Sequence, residues 1–257
     1  MNAVLTIAQR DLNKLLRDPA RLLSTFIFPF IFMAALGGTM QASLGSRIGF
    51  DFLAFTFTGV YGQTLFQSSA MGLISLIEDR ENDFSQEIFV APISRYSIVL
   101  GKVLGETLVA LPQGLAILAF AFVLGVPLEL PQIGAMLVAG FVGCLLGGAF
   151  GLLVLANISS QRAAQQVFPF ILLPQFFMAG VFNPLTNLPW YLEILSRISP
   201  MRYAVDLARN AYYGGGPDVA PQVVLDSPWM NLAVSGALFA VFFAIGTILF
   251  VRAERNR

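Results

Sequence analysis

The sequence predicts an all-α integral membrane protein, and three observations carry that prediction. Charged residues make up only 12% of the chain and apolar residues 56%, against about 25% and 45–50% in soluble domains. Mean hydropathy is +0.74. The apolar residues gather into stretches near the ~20 residues that a spanning helix requires. They lack the period-2 alternation of a membrane barrel, which leaves helices that satisfy their own backbone hydrogen bonds.

Six candidate spans follow, at residues 22–40, 52–77, 99–123, 133–156, 167–182 and 232–251. Ahead of the first, Leu5, Ala8, Leu12, Leu15 and Leu16 recur at helical spacing, with Gln9, Arg10, Asn13, Lys14 and Arg17 on the other face. This predicts an amphipathic helix over residues 1–20 lying in the membrane interface. Asp18-Pro19 ends it. The first span begins only after this polar-mixed stretch and runs to full length, so it reads as retained rather than as a cleaved signal. Pro29 stands at its middle and predicts a kink.

Span two is the most polar, with Thr56, Thr58, Tyr61, Gln63, Thr64, Gln67, Ser68, Ser69 and Ser75. Such side chains belong against other helices or along a wet pathway. Spans two and three are separated by the block 78–87, in which six of ten residues are ionic. Ionic side chains cost several kcal/mol each in hydrocarbon, so the block lies in water. Span three carries Lys102 and Glu106 at four-residue spacing, which predicts a local ion pair.

Gly143, Gly147 and Gly151 place small residues on one face of span four, a surface for close helix approach within this subunit or with another. A short linker at 157–166 leads to span five. The outer segment 183–229 holds two short helices near 190–198 and 201–212, the second opened by Ser199-Pro200. Arg202, Asp206 and Arg209 interrupt its apolar residues and predict a half-buried, re-entrant or interfacial helix. Trp190, Tyr191, Tyr203, Tyr212, Tyr213 and Trp229 suit headgroup level.

An even number of spans puts both termini on one side. That side holds eleven of the fifteen Lys and Arg residues and the other side four, Arg47, Arg197, Arg202 and Arg209. The bias predicts cytoplasmic termini and a cytoplasmic 78–97 loop.

Several chemistries are excluded. Histidine is absent, so no His-based acid–base or metal site exists, and Cys144 is the lone cysteine. No phosphate-binding G-x-x-x-x-G-K-[ST] loop occurs, since Leu100-Gly101-Lys102-Val103 lacks the upstream glycine and the hydroxyl residue. Neither a catalytic residue nor a metal site is expected. An ion-coupled transporter would need embedded ionic residues and inverted repeats. A secondary transporter or channel is thus the alternative reading, and a membrane-embedded enzyme is poorly supported.

The runs Glu78-Asp79-Arg80-Glu81, Val90-Ala91-Pro92-Ile93-Ser94-Arg95 and Ile98-Val99-Leu100-Gly101-Lys102 resemble the signature of type-2 ABC exporter permeases. Gly180-Val181-Phe182-Asn183-Pro184-Leu185, Leu188-Pro189-Trp190, Ser199-Pro200 and Ala208-Arg209 are similar to that family's second signature. The resemblance covers nearly the whole chain as one transmembrane domain, 1–257. It implies a dimer, a homodimer in the simplest case, in a bacterial plasma membrane. Two copies of a separate ATPase would carry ATP and Mg, with no cofactor on this chain and no nucleic-acid partner.

The first cytoplasmic loop would then hold a coupling helix docked on the ATPase and braced by the interfacial helix. Its candidate docking residues are Glu78, Asp79, Arg80, Glu81, Phe84, Glu87, Ile88, Phe89, Pro92 and Arg95. The apolar Phe84, Ile88 and Phe89 offer an anchor of the kind found at interface centres. Spans one, two and five would frame the path of an amphiphilic drug, lipid or modified oligosaccharide. Candidate path residues are Phe30, Gln63, Gln67, Phe170, Gln175 and Phe177.

Overall fold

The computed structural model describes residues 3–16, 27–44, 49–81, 95–158, 160–186, 188–214 and 219–255. Among them there are helices and connecting turns and no strand. The N-terminal helix α1 spans Ala3–Leu16. Helix α2 covers residues 27–44, with a π-helical turn at Met33–Gly37 and a final α-helical stretch, Gly38–Leu44. The π-helical turn lies beyond Pro29, which itself stands in regular α-helix.

Helix α3, Phe52–Gly72, is the centre of the molecule. Asp51 caps it by accepting a hydrogen bond from Ala54 N at 3.0 Å. Its Thr56, Thr58, Tyr61, Gln63, Thr64 and Ser69 are all buried, because other helices surround it, as expected for a helix with no solvent-facing stripe. The predicted single span 52–77 is in fact two pieces. Leu73 and Ile74 form a turn, and α4 follows over Ser75–Glu81. Glu106 from the next long helix presses against the joint, where a Cβ on Gly72 would lie 2.1 Å from Glu106 Oε2.

Helix α5, Arg95–Val123, contains Pro112. Helix α6, Leu130–Leu155, opens with a capping box between Glu129 and Gln132. Helix α7, Gln161–Met178, is capped by Ser160, which accepts from Ala163 N at 3.2 Å. The linker expected at 157–166 is therefore shorter than predicted, since Gln161 to Gln166 are already helical. Helix α8 is Trp190–Ile198 and α9 is Pro200–Tyr213, begun by proline at its first position. A single turn, α10, Ala220–Val223, precedes the last helix, α11, Pro228–Arg255.

By length and composition, the helices over Tyr96–Val123, Leu130–Leu155 and Ala220–Ala253 are able to cross a membrane, and Ile27–Ser43 is a shorter apolar helix. This is a multi-pass membrane protein. Helix α3 is long enough but too polar to stand out by hydropathy, and its polar side chains are buried among neighbouring helices instead of facing lipid.

The glycine face of α6 packs within the chain. A Cβ on Gly147 would sit 2.1 Å from Phe66 O, and one on Gly151 would sit 2.3 Å from Ala70 O. Only glycine lets the backbones of α3 and α6 approach that closely. Tyr61 adds a hydrogen bond across the same seam, its hydroxyl donating to Met136 O at 2.8 Å. Helix α9 lies on α3 and α6 and is buried more deeply than the half-buried helix predicted, with every residue from Pro200 to Arg209 inside.

Three ionic residues on α9 are buried, each with at least one polar partner, while Arg202 Nε and Arg209 Nε and Nη1 have none. Asp206 accepts from Leu225 N at 2.8 Å, Asp226 N at 2.9 Å and Asn231 Nδ2 at 2.7 Å. Arg202 donates to Ser196 Oγ at 2.9 Å and to Asp226 Oδ2 at 3.2 Å. Arg209, fully buried, lies 4.0 Å above the Phe55 ring and donates to Gly180 O. Gly180 takes φ +69°, a left-handed turn after α7 that glycine adopts without strain.

Candidate functional site: an ion-paired joint beneath a polar cavity

Two neighbouring features share helix α4. The first is a set of four charges from three elements. Lys102 of α5, 2% exposed, places Nζ 3.0 Å from Asp11 Oδ2 of α1 and 3.0 Å from Asp79 Oδ2 of α4. Arg10 donates to Asp79 Oδ2 at 2.6 Å and to Asp11 Oδ1 at 2.9 Å. Burial alone would push the Asp79 carboxyl up. Lys102 and Arg10 outweigh it and hold that carboxyl below the usual carboxylate range.

This joint corrects one sequence reading and adds a contact to another. Lys102 turns toward Asp11 and Asp79, while the Glu106 carboxylate lies 2.7 Å from Ser75 Oγ, in place of a Lys102–Glu106 pair. Helix α1 does present a buried face, but that face lies on α5 and includes a charge. A Cβ on Gly105 would meet Ala8 Cα and Asp11 Oδ2, each at 3.1 Å. Asp11 was missed because an acidic residue inside an apolar stripe reads as an exception until its partner from another helix is seen.

Of the predicted docking residues, Glu78 and Asp79 stand on α4 with described side chains. Arg80 and Glu81 complete α4, and Arg95 begins α5, as helical backbone. Phe84, Glu87, Ile88, Phe89 and Pro92 lie outside the described residues.

The second feature is a cavity of about 500 Å³ between α2, α3, α4, α5 and α7. Phe28 and Pro29 form one wall. Helix α3 contributes Thr64, Gln67, Ser68, Met71 and Gly72. Ile74, Ser75 and Glu78 line the end nearest the joint, Gln113 comes from α5, and Gln161 and Gln165 come from the first turns of α7. Gln113 is 6% exposed and its Oε1 is buried without a hydrogen-bond partner.

The six predicted path residues are not brought together. Gln67 lines the cavity, and Gln63 lies one turn behind it, donating to Gln67 Oε1 at 3.0 Å. Phe30 stacks on Phe120 at 4.2 Å. Gln175 is buried away from the cavity, accepting from Ser199 Oγ at 3.4 Å. Phe170, 81% exposed, points outward. Phe177 packs edge-on to Phe182, which in turn meets Phe32 of α2.

Sequence reasoning passed over Gln113, Gln161 and Gln165. Gln113 is one amide in an apolar span beside Pro112, a weak signal, and the other two sat in the presumed linker. Among the described residues the arrangement offers hydrogen-bonding surface and a mechanical joint rather than a nucleophile with its base.

The ABC-2 type transporter model matches residues 2–213. The chain belongs to the ABC-2 type transporter family. Relatives of this ABC-2 protein include a transport permease named ycf38 from Cyanophora paradoxa, 25% identical over 257 residues, covering 97% of this chain and 88% of the relative. A multidrug ABC transporter permease named YbhR, from Escherichia coli K12, is 26% identical over 176 residues, 67% of this chain and 46% of that protein. An inner membrane transport permease named YadH, from the same strain, is 22% identical over 185 residues, 72% of each. The ABC-2 family makes this chain a transport permease subunit, of the kind that associates with an ABC ATPase.

Proposed function

We propose that the chain is the membrane-spanning half of an exporter driven by ATP hydrolysis on two copies of a separate ATPase, and that it moves an amphiphile out of the cell. One observation supports this reading above the others. Helix α4 supplies Asp79 to the ion-paired joint and Ser75 and Glu78 to the cavity. A push on the 78–95 segment is therefore delivered to α1 and α5 through Lys102 and Arg10, and to the cavity wall in the same motion. In this reading the ATPase docks on that segment, with Phe84, Ile88 and Phe89 as its apolar anchor.

The cavity's composition supports an amphiphilic cargo, with Phe28, Pro29 and Met71 beside amides and hydroxyls. The name of the YbhR relative, a multidrug permease, accords with this. Six passes, cytoplasmic termini and a second copy of the chain in a bacterial plasma membrane complete the proposal. ATP and Mg would reside on the partner, with none held by this chain.

The test is copurification followed by transport. An ATPase should hold to the wild-type chain and detach, or lose its transport-stimulated activity, when Phe89→Ala or Glu81→Ala is introduced, with insertion unchanged. Export that continues in vesicles lacking ATP and any ATPase would establish the alternative, a secondary transporter or channel.

A further inference from the structure

We infer that the pocket between α8, α9 and the 224–226 connection binds the headgroup of a zwitterionic phospholipid, held as a resident lipid at the membrane face opposite the 78–95 segment. This site is separate from the polar cavity and does not depend on what the cavity carries.

Helix α7 sets its position. It starts beside the cavity, which Gln161 and Gln165 line, and ends at Met178. Its 18 residues run about 27 Å, close to the thickness of a hydrocarbon core. Ser196 of α8 donates to Met178 O at 2.6 Å, so α8 is fastened at the far end. Trp190, Tyr191, Ile194, Leu195 and Ile198 share one face of α8, and each is more than half exposed. Amphipathic aromatic rings beside aliphatic side chains suit a helix lying at headgroup level. By helical spacing, Glu193 and Arg197 stand along the edge of that face.

The pocket has a volume of about 330 Å³, and Glu193, Arg197, Arg202 and Asp226 line it. Two cations and two carboxylates thus balance among the described lining residues. Arg197 directs Nε and Nη2 at Glu193 Oε1, at 3.1 and 2.6 Å. Arg202 directs Nη2 at Asp226 Oδ2 at 3.2 Å. A guanidinium carries five N–H donors and a carboxylate two acceptor oxygens, so the Arg197–Glu193 pair has capacity for a second ligand on each side. A lipid phosphate accepts from Arg197, and the lipid ammonium meets Glu193 and Asp226. The Arg197 and Glu193 side chains are 62% and 47% exposed, so rearranging that pair costs little. An anionic headgroup would set its charge against two carboxylates, and a cationic one against two arginines. A headgroup carrying both charges complements both pairs, and its acyl chains lie along the apolar face of α8.

The test uses the full chain in lipid nanodiscs, with Trp229→Phe leaving Trp190, one turn before Glu193, as the lone tryptophan. Phosphatidylcholine, phosphatidylglycerol and a diacyl trimethylammonium-propane lipid are mixed pairwise in equal amounts, with brominated chains on one member and then on the other. Bromine quenches a tryptophan it touches, so the ratio of quenching reports which lipid sits at α8.

Phosphatidylcholine should be enriched about two- to fivefold over each of the others, the scale that exposed ion pairs set. Glu193→Gln should turn the preference toward phosphatidylglycerol, and Arg197→Gln toward the cationic lipid. Equal quenching by all three lipids in the wild-type pocket would overturn the proposal, as would a preference there for either singly charged lipid. A phosphatidylcholine preference that both variants keep would place the lipid elsewhere and remove the pocket's role. No quenching by any lipid would show that protein covers α8, which overturns the proposal as well.

Discussion

Replacing Lys102 by methionine tests the ion-paired joint most directly. Lys102 is 2% exposed and lies 3.0 Å from a carboxylate oxygen of both Asp11 and Asp79. At an effective dielectric of about 20, each contact is worth about 5 kcal/mol of Coulomb attraction before desolvation is subtracted. With the lysine gone, Arg10 is the one cation left among the described residues to serve two carboxylates, one of them only 5% exposed. Breaking a buried pair by removing one partner costs about 3–5 kcal/mol net.

That loss should lower the unfolding midpoint in nanodiscs by on the order of 10 °C for a chain of this size. The sign of the interaction is testable by a double-mutant cycle. Lys102→Met with Asp11→Asn restores a neutral Arg10–Asp79 pair, so the double variant should be more stable than Lys102→Met alone by at least about 1 kcal/mol. A single variant that loses less than about 1 kcal/mol, or a double variant no better than the single, would refute the claim that these charges form one buried unit.

Three further outcomes are expected. The Asp79 carboxyl is held below its ordinary range, so its contribution is fully present above about pH 4 and is lost as pH falls through the lower folded value. Unfolding midpoints of wild type and Asp79→Asn should differ steadily from pH 7 to pH 5 and converge below pH 4, and a gap unchanged down to pH 2 would contradict the shift. Gly147→Val puts a side chain where even a Cβ would lie 2.1 Å from Phe66 O. It should cost about 1–3 kcal/mol or more by forcing α3 from α6, visible as a lowered midpoint. Arg209→Lys keeps the charge but loses the planar group over Phe55 and the donor to Gly180 O. It should destabilise by about 1–3 kcal/mol, and a neutral result in the same unfolding assay would remove this anchor from the account of the fold.

Helix positions were legible where a local cue sufficed. Ser199-Pro200 marks the start of α9, and long apolar stretches mark α5, α6 and α11. The contact beside the break between α3 and α4 was not legible, because nothing near Gly72 in sequence announces that Glu106, thirty-four positions later, will occupy the space of its absent side chain. The surroundings of the candidate path residues were not legible either. Phenylalanines in spans suit lipid, packing or cargo equally well by composition, and the structure spreads Phe30, Phe170 and Phe177 among different surroundings.

By itself the sequence determined the class of the molecule. Low charge and long apolar stretches require a helical membrane protein, because unpaired backbone and ionic groups are too costly in hydrocarbon. It also carried the expectation that the block at 78–87 reaches water, and it showed that glycines would let two helices meet. Only the tertiary structure decided which helices those are, and which charges neutralise one another. Lys102 pairs with α1 and α4 because ion pairs are chosen by distance in space. The same holds for the amides of α3, α5 and α7, which form a cavity only because packing places three separated stretches of chain around one volume.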